Sequence, residues 1–467
     1  MFIARIFQYS LKHLANGAAR VYIKNSDALQ SANFNASDDI STDIKKHKVT
    51  IKKVAGTGDM IVKNTQRGAL VEIRNKKLAE AFKGIDRVTV TFRSNVITIQ
   101  ISNADKARLE REQTVIRKLI NRRPLSFGSV YSGLALLSLA IKEGMERCNI
   151  RTQHAFSTDI EELPISIQLE GNPVWKTPAP DAIAIVDDIS ELDTSLVPQL
   201  DVVELGYPCW GMSKLCPKGL RDTQHPVAGA KFIPTVNKLR ELNPAIIILE
   251  CSVPFLSSDT YSLMRRELPG YTFSETKING YENGDFEERE RCAVTAISSG
   301  LPNIGLNRFA PPACVERKPI SSIMEDIADS SPLWKRYEHV VSKLNDSRLN
   351  FKHKLYKGDE DKIAAIPATY NSPKIGSPMI AHWKNNYQRL ITWQEHSRIR
   401  MVPELMEKAL RRVTTGDHPL VSSRGNVTVV HQMLGNSVSP KAWRNFGEFV
   451  GDYLNRIRQT YELALCA

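Results

Sequence analysis

The regular alternation of strand-like and helix-like segments between residues 126 and 300 constrains the fold of this chain more than any other feature. The strand candidates are Gly128–Tyr131, His154–Thr158, Ala182–Val186, Asp201–Leu205, Ile246–Glu250, Tyr271–Ile278 and Cys292–Ile297. The helix candidates between them are Leu134–Glu146, Pro164–Leu169, Phe232–Leu242 and Thr260–Glu267. Such alternation predicts an α/β fold with a mostly parallel sheet covered by helices.

Positive charge is concentrated at the start of the chain. Residues 1–124 hold 24 Lys and Arg against 11 Asp and Glu, whereas the whole chain of 467 residues holds 63 against 51. The net charge of +12 therefore resides in the first quarter. This asymmetry favours a module that binds a polyanion such as nucleic acid, and a solvated basic surface without a partner is the alternative.

Changes in composition divide the chain into six predicted parts. They are a loosely ordered segment (1–46), a small basic β-rich domain (47–103), a helical connector (104–124), the α/β body (125–300), an irregular region (301–388) and a C-terminal part that completes the body (389–467). Val88–Phe92 and Val96–Ile99 are expected to form a hairpin across Arg93–Asn95. A closing helix is predicted from Lys441 to Leu463.

Several classes of protein are excluded by composition. No apolar run reaches about 18 residues, so no transmembrane helix is predicted. The seven cysteines include no Cys-x-x-Cys pair, which argues against a disulfide framework and a zinc site. We expect a cytoplasmic protein without a metal, although the basic N-terminus leaves a transit peptide as an alternative. The sequence does not determine the oligomeric state, and a monomer is compatible with it.

Two chemically active side chains follow strand candidates. Cys209, in the turn Gly206–Trp210, comes directly after one apolar run, and Glu250 ends the next. Open α/β sheets place their chemistry at the carboxyl ends of strands. A thiol and a carboxyl at this edge suggest covalent attack on a base ring.

Eight ordered motifs make the chain similar to the cytosine-C5 DNA methyltransferase family. They are Ser129–Ala135, Asp159-Ile160, Asp188-Ile189, Pro208–Ser213, Glu250–Val253, Glu287–Arg291, Arg389–His396 and Gly435–Pro440. The resemblance implies a Rossmann-like S-adenosylmethionine-dependent methyltransferase sheet with a smaller irregular target-recognition lobe at 301–388. The N-terminal β-rich domain would be an addition to this body.

The resemblance also implies the site residues. Residues expected to bind S-adenosylmethionine are Tyr131, Ser132, Gly133, Leu134, Asp159, Ile160, Asp188, Ile189, Pro208, Asn436 and Ser437. The Cys209 thiolate would attack C6 of a cytosine flipped out of duplex DNA, so its surroundings should favour the thiolate. Glu250 would bind N3 and the exocyclic amine, and Arg291 would bind O2. Arg289 would brace Glu250 or Arg291, and alternation would place both arginines on one strand face.

The chain departs from the family at six positions. Ala135 and Leu136 stand where two glycines are usual, Cys251 stands in place of Asn, and Glu287 in place of Gln. Trp210 and Met212 replace the more usual Gln and Phe of the nucleophile loop. The first four changes keep open a DNA-binding regulator built on a decayed enzyme. An RNA cytosine-C5 methyltransferase is a second alternative, although the basic N-terminal domain and the long region 301–388 favour DNA.

The target sequence cannot be read from the chain. DNA contacts are expected within 301–388, where the candidate residues are Lys352, Lys354, Lys357, Tyr370, Asn371 and Lys374. Lysines at phosphates would give affinity, while base edges require a geometry that the sequence does not reveal.

Overall fold

The computed structural model describes residues 3–212, 216–344, 354–374 and 376–466, and the chain divides into two compact units. The first unit is Met1–Glu110 and the second is Arg111–Ala467. Helix α3 (Asn103–Ile120), numbered after the two helices of the first unit, contains the boundary between them.

The first unit is a nine-stranded antiparallel sheet with two short helices. Its strands are β1 (Arg5–His13), β2 (Ala19–Ile23), β3 (Asp39–Lys45), β4 (Lys48–Lys53), β5 (Met60–Ile61), β6 (Lys63–Thr65), β7 (Gly68–Asn75), β8 (Arg87–Arg93) and β9 (Val96–Gln100), and its helices are α1 (Ser26–Ser31) and α2 (Lys76–Ala81). The strand order is β5-β3-β4-β9-β8-β1-β2-β7-β6. The edge strands β5 and β6 are separated in sequence only by the buried Val62, so the sheet curls back on itself. Alternate residues of β8 and β9 point into the core, as the period of a strand requires.

Two predictions about this unit are wrong and one is confirmed. Residues 1–46 are not loosely ordered, because β1, β2, α1 and β3 lie within them. The β-rich unit therefore extends well beyond residues 47–103. The prediction missed the first strands because their outward residues are polar, although their inner faces are apolar. The hairpin is confirmed, because β8 pairs with β9 from Arg93↔Val96 onward.

The second unit is built on a seven-stranded sheet in the order β12-β11-β10-β13-β14-β17-β15. Its strands are β10 (Leu125–Val130), β11 (Thr152–Asp159), β12 (Ile183–Val186), β13 (Val202–Gly206), β14 (Ile246–Cys251), β15 (Tyr271–Asn279) and, after the separate short strand β16 (Glu287–Glu288), β17 (Glu290–Ser298). Its first helices are α4 (Leu136–Arg147), α5 (Glu162–Gly171), α6 (Phe232–Leu242) and α7 (Asp259–Glu267). Pairing is parallel from β12 to β14, and β17 is antiparallel to both β14 and β15. The predicted α/β fold is confirmed, with every strand and helix candidate of this region found within a few residues.

Short elements follow the sheet, and longer helices close the unit. They are α8 (Glu338–Leu344), β18 (Leu355–Tyr356), β19 (Ile363–Ala364), β20 (Met379–Ala381), β21 (Gln388–Leu390), α9 (Trp393–Ile399), α10 (Glu404–Thr415), α11 (Val427–Asn436) and α12 (Pro440–Cys466). The expected irregularity of 301–388 agrees with these short strands. The long α12 matches the predicted closing helix.

Glycines allow α12 to pack closely against α4. A Cβ on Gly144 would lie 2.0 Å from the carbonyl oxygen of Arg444, and one on Gly447 would lie 2.4 Å from that of Ile141. Neither contact is sterically possible, so both positions require glycine. This packing holds α4, and with it the turn that follows β10, against the body. Among the described residues, no helix has the length and apolarity needed to cross a membrane.

Candidate active site

A cleft of about 1020 Å³ opens at the carboxyl ends of the parallel strands. Apart from Arg289 and Arg291, every residue predicted for the site lines it: Tyr131, Ser132, Gly133, Leu134, Asp159, Ile160, Asp188, Ile189, Pro208, Cys209, Glu250, Asn436 and Ser437. The topology explains this, because β10, β11, β13 and β14 run parallel and end at one edge.

The turn after β10 forms one wall of the cleft. Tyr131, Gly133 and Ala135 all have left-handed backbone conformations, with φ of 57°, 49° and 52°. This conformation is strained for a residue with a Cβ, by roughly 1–2 kcal/mol. The turn therefore keeps the backbone that a glycine would favour at position 135, and α4 begins at the next residue.

Two aspartates on neighbouring strand ends differ in their electrostatics. Asp159 accepts a hydrogen bond from the amide of Gly133 at 2.8 Å, and burial raises the pKa of its carboxyl. The pKa of Asp188 is lowered to about 2, because Lys231 donates to it and the amide of Ser190 adds a second hydrogen bond. Sequence reasoning missed Lys231, which follows no strand and belongs to no recognised motif.

The lining fits S-adenosylmethionine. Asp159 has a carboxyl group that can accept hydrogen bonds from a ribose diol. Ile160 beside it is 60% exposed, so its side chain is open to contact with an apolar group. Asp187, Asp188 and Glu204 also contribute to the lining of the cleft, together with Lys231.

Cys209 begins a short 3-10 turn, Cys209–Gly211, directly after β13 and Pro208. Burial raises the pKa of its thiol and the charge of Glu250 adds to the effect, while Arg291 and Arg289 oppose it. The expectation that the surroundings favour the thiolate is therefore wrong. The cause is desolvation, which a sequence does not display.

Glu250 forms an ion pair with Arg291, and 3.0 Å separates Arg291 Nε from Glu250 Oε1. The carboxyl is only 8% exposed. Burial raises its pKa despite the opposing charges of Arg291 and Arg289. Glu250 is thus poised to hold a proton at a higher pH than an ordinary glutamate.

Arg289 does not occupy the place expected for it. Arg289 lies between strands β16 and β17 and belongs to neither, so Arg289 and Arg291 do not share one strand face. Arg289 donates to the carbonyl oxygens of Ile366 at 3.2 Å and Gly435 at 2.9 Å, and does not reach the cleft lining. It holds the end of α11, which carries Asn436, against the body.

Glu287 and Arg400 form a buried ion pair behind the site. Both side chains are fully buried, and both Nη groups of Arg400 donate to the carboxylate, the longer bond at 3.1 Å. Arg400 Nε also donates to the carbonyl of Leu434 at 2.9 Å. Burial acts to raise the pKa of Glu287, but Arg400 and Arg289 outweigh it and the pKa lies below its usual value. Arg400 was missed, because nothing in its sequence neighbourhood signals a buried cation.

Glu204, another residue that sequence reasoning missed, lies under the cleft on β13. It accepts a hydrogen bond from Ser138 Oγ at 2.6 Å, and burial raises its pKa to about 7. The available signal was a glutamate inside the apolar run from Val202 to Leu205.

The motifs Gly435–Pro440 and Arg389–His396 are held by local hydrogen bonds. Asn436 ends α11, and Ser437 Oγ donates to the carbonyl of Met433 at 2.9 Å. Arg389 donates twice to Glu395, at 2.8 and 2.7 Å, within the first turn of α9. These contacts are structural and position the cleft wall.

The residues predicted to contact DNA within 301–388 lie in different surroundings. Tyr370 is fully buried and its hydroxyl accepts from the amide of Ile391 at 2.8 Å, so its assignment as a DNA contact is wrong. Asn371 and Lys374 line the cleft, whereas Lys354 and Lys357 are exposed elsewhere. Lys352 lies outside the described residues.

No His, Cys, Asp or Glu cluster in the described part of the chain could hold a metal ion. Comparison with protein-family models gives no match. A Type II methyltransferase of Lactococcus lactis subsp. cremoris, M1.ScrFI, is 25% identical over 239 residues, or 46% of this chain and 57% of that protein. The chain thus spans little more than half of this relative's length.

Two solved structures share the fold. The Dnmt2 methyltransferase of S. pombe has a TM-score of 0.51 and 18% identity, covering 71% of this chain and 99% of its own. The methyltransferase EhMeth of Entamoeba histolytica has a TM-score of 0.51 and 16% identity, covering 71% and 98%. With the M1.ScrFI match, they confirm the fold of an S-adenosylmethionine-dependent methyltransferase and the resemblance to the cytosine-C5 methyltransferase family.

Proposed function

We propose that the chain transfers a methyl group from S-adenosylmethionine to C5 of a cytosine flipped out of duplex DNA. The observation that carries this proposal is that Cys209 and Glu250 line one cleft with the predicted cofactor-binding turns, while Arg291, outside the lining, forms an ion pair with Glu250. Thiol, carboxyl and guanidinium are the groups that a covalent attack on cytosine requires.

The residues that would hold the methyl donor are on adjacent strand ends. Asp159 suits the ribose, Ile160 and Ile189 are apolar neighbours for the adenine, and the turn from Tyr131 to Leu134 closes over the other end. When bound, the donor supplies an electrophilic methyl group.

The chemistry of the protein's own side chains follows from their electrostatics. The sulfur of Cys209 forms a bond to C6 and loses its proton, while Glu250 gives a proton to N3, so the ring gains electron density at C5. A neutral Glu250 with a thiolate has the same total charge as a carboxylate with a thiol, so the reactive state needs only a relocated proton. Arg291 stabilises negative charge in both states.

Release of the product restores the enzyme. Once C5 carries the methyl group, the C5 proton passes to solvent, the C6–S bond breaks, and the sulfur leaves as the thiolate. N3 returns its proton to Glu250. Each step conserves atoms and charge, and the net change in the base is the replacement of its C5 hydrogen by a methyl group.

DNA is preferred to RNA as the substrate because the motifs resemble those of the cytosine-C5 DNA methyltransferase family, and the excess of positive charge in residues 1–124 suits a nucleic acid. RNA cytosine methylation remains the second candidate, because the cleft chemistry suits cytosine in either polymer. A non-catalytic regulator is disfavoured by the retained Cys209, Glu250 and Arg291.

The test is methyl transfer from tritiated S-adenosylmethionine to mixed-sequence duplex DNA, and separately to tRNA, with the native chain and Cys209→Ala. The proposal expects label at cytosine C5 of DNA that disappears in the variant. Label on tRNA alone would assign the substrate to RNA. Absence of label on both, with DNA binding retained, would support the regulator.

A further inference from the structure

The curled sheet of Met1–Glu110 has an exterior face on which side chains line up in rows across five neighbouring strands. These strands are β3, β4, β9, β8 and β1, in that order. Pairing in register places the outward side chains of Lys45, Lys48, Gln100, Thr89 and Gln8 in one continuous row. We call the outward side chains of these five strands the exterior face.

Two further rows complete the exterior face. The middle row is Asp43, Thr50, Thr98, Thr91 and Ile6, and the outer row is Ser41, Lys52, Val96 and Arg93. The half-buried hydroxyls of Thr50 and Thr98 lie in the middle row, where Thr91 is buried, and the amides of Gln8 and Gln100 lie in the first row. These hydroxyl and amide groups can both donate and accept hydrogen bonds.

Positive charge rims this polar centre. Lys45, Lys48, Lys52 and Arg93 are exposed, and Asp43 is the single acidic residue of the three rows, all of which the structure describes. Asp43 lies 3.2 Å from Lys45. Lys48, Lys52 and Arg93 form no ion pair with any described residue of the chain, so their charges remain available to an anionic partner.

The width of the face suits the outside of a duplex rather than a groove. Strands lie about 4.8 Å apart, so five of them cover roughly 19 Å, which is more than the roughly 12 Å width of the major groove. The face is therefore too wide to reach base edges, but it can lie along the phosphates, which lysine and arginine contact.

We propose that the exterior face binds duplex DNA, with Lys45, Lys48, Lys52 and Arg93 at phosphates. The inference rests on the proposed function in taking DNA as the ligand. It adds a second DNA contact that lies in the N-terminal unit and takes no part in methyl transfer.

The test compares two triple variants of the full chain with equal changes of charge. One is Lys45→Gln/Lys48→Gln/Lys52→Gln on the exterior face, and the control is Lys76→Gln/Lys77→Gln/Lys83→Gln at and just after α2, where all three lysines are also exposed. Fluorescence anisotropy measures the affinity for a labelled mixed-sequence duplex between roughly 50 and 200 mM salt.

The face variant should lose about two to three units from the slope of log affinity against log salt, since each phosphate contact contributes about 0.9. The control should keep the native slope. Equal slopes for the face variant and the native chain, or equal losses in both variants, would overturn the proposal. So would a loss of affinity for tRNA with affinity for DNA unchanged.

The binding readout is independent of catalysis. If the native chain binds DNA through this face but methylates no cytosine in DNA, the proposed function is wrong and the proposal for the exterior face stands. If methylation proceeds and the face variant binds DNA as the native chain does, only the proposal for the exterior face is wrong. Unchanged unfolding curves for both variants confirm that the fold is intact.

Discussion

Arg400 donates both of its Nη groups to the carboxylate of Glu287, and neither side chain has any exposed surface. Glu287 is one of the positions at which the chain departs from the family motif, where glutamine is usual. The charge that this departure introduces is matched by a cation 113 residues away in sequence. The departure is thus a compensated change rather than a sign of decay.

The first prediction concerns this pair. Arg400→Gln leaves a buried carboxylate without its main partner and should lower the free energy of unfolding by about 3–5 kcal/mol. The double variant Glu287→Gln/Arg400→Gln removes both charges and should recover most of that loss. Urea unfolding of the native chain, both single variants and the double variant measures the coupling. Additive losses in the double variant would contradict the compensation.

The second prediction separates backbone strain from packing in the turn after β10. Ala135→Gly and Ala140→Gly each remove one buried methyl group, but Ala135 has φ of 52° whereas Ala140 lies inside α4. Glycine relieves strain at position 135 and weakens the helix at position 140. Ala135→Gly should therefore be the more stable variant by about 1–2 kcal/mol in urea unfolding. Equal stability would mean that the left-handed turn carries no strain.

The third prediction uses the pKa of Glu204, raised to about 7 by burial. A raised carboxyl pKa means that the folded state binds a proton which the unfolded state releases near pH 4.3. This contribution to stability is complete below that pH and is lost as the pH rises through about 7. Relative to Glu204→Gln, the native chain should lose roughly 3 kcal/mol between pH 4 and pH 8. If the free energies of unfolding of the two proteins changed with pH in parallel, the raised pKa of Glu204 would be contradicted.

The fourth prediction concerns the pH dependence of methyl transfer. The reactive state needs a neutral Glu250 and an ionised Cys209, and burial raises the pKa of both groups. Between the two pKa values the gain in thiolate is offset by the loss of neutral carboxyl, so the single-turnover rate should be flat near neutral pH. In Glu250→Gln only the thiol titrates, so the slower rate should rise about tenfold per pH unit up to the thiol pKa.

The measurement for this prediction is the single-turnover rate from about pH 6.5 to pH 8.5. Glu191→Gln, an exposed neutral substitution outside the cleft, is the matched control and should follow the native profile. If the rate of Glu250→Gln is also flat, Glu250 does not hold the proton in question.

Most of the methyltransferase body was predictable, because its strands are apolar runs that end in turns. Cys209 and Glu250 could be placed at one edge on that basis, since parallel strands end at a common edge, whereas Asp159 was assigned through the resemblance to the family. The N-terminal strands escaped prediction because their outward residues, such as Ser41 and Asp43, are polar and conceal the buried Ile40.

The interactions behind the site could not be predicted. The Glu287–Arg400 pair and the Lys231–Asp188 contact join residues that are distant in sequence, and no local pattern signals them. The sign of the pKa shift at Cys209 depends on desolvation by the folded chain. Tyr370 was misassigned because an aromatic residue in a polar segment reads equally well as a surface contact or as a core residue.

The covalent role of Cys209 is the central claim, and trapping the adduct tests it most directly. A mixed-sequence duplex with 5-fluorocytosine in one strand, incubated with the protein and S-adenosylmethionine, blocks the loss of the C5 substituent and therefore the release of sulfur. We expect a complex that survives denaturing electrophoresis, whose mass maps to the peptide containing Cys209, and which Cys209→Ser does not form. Methyl transfer by Cys209→Ser, or an adduct at another residue, would contradict the account.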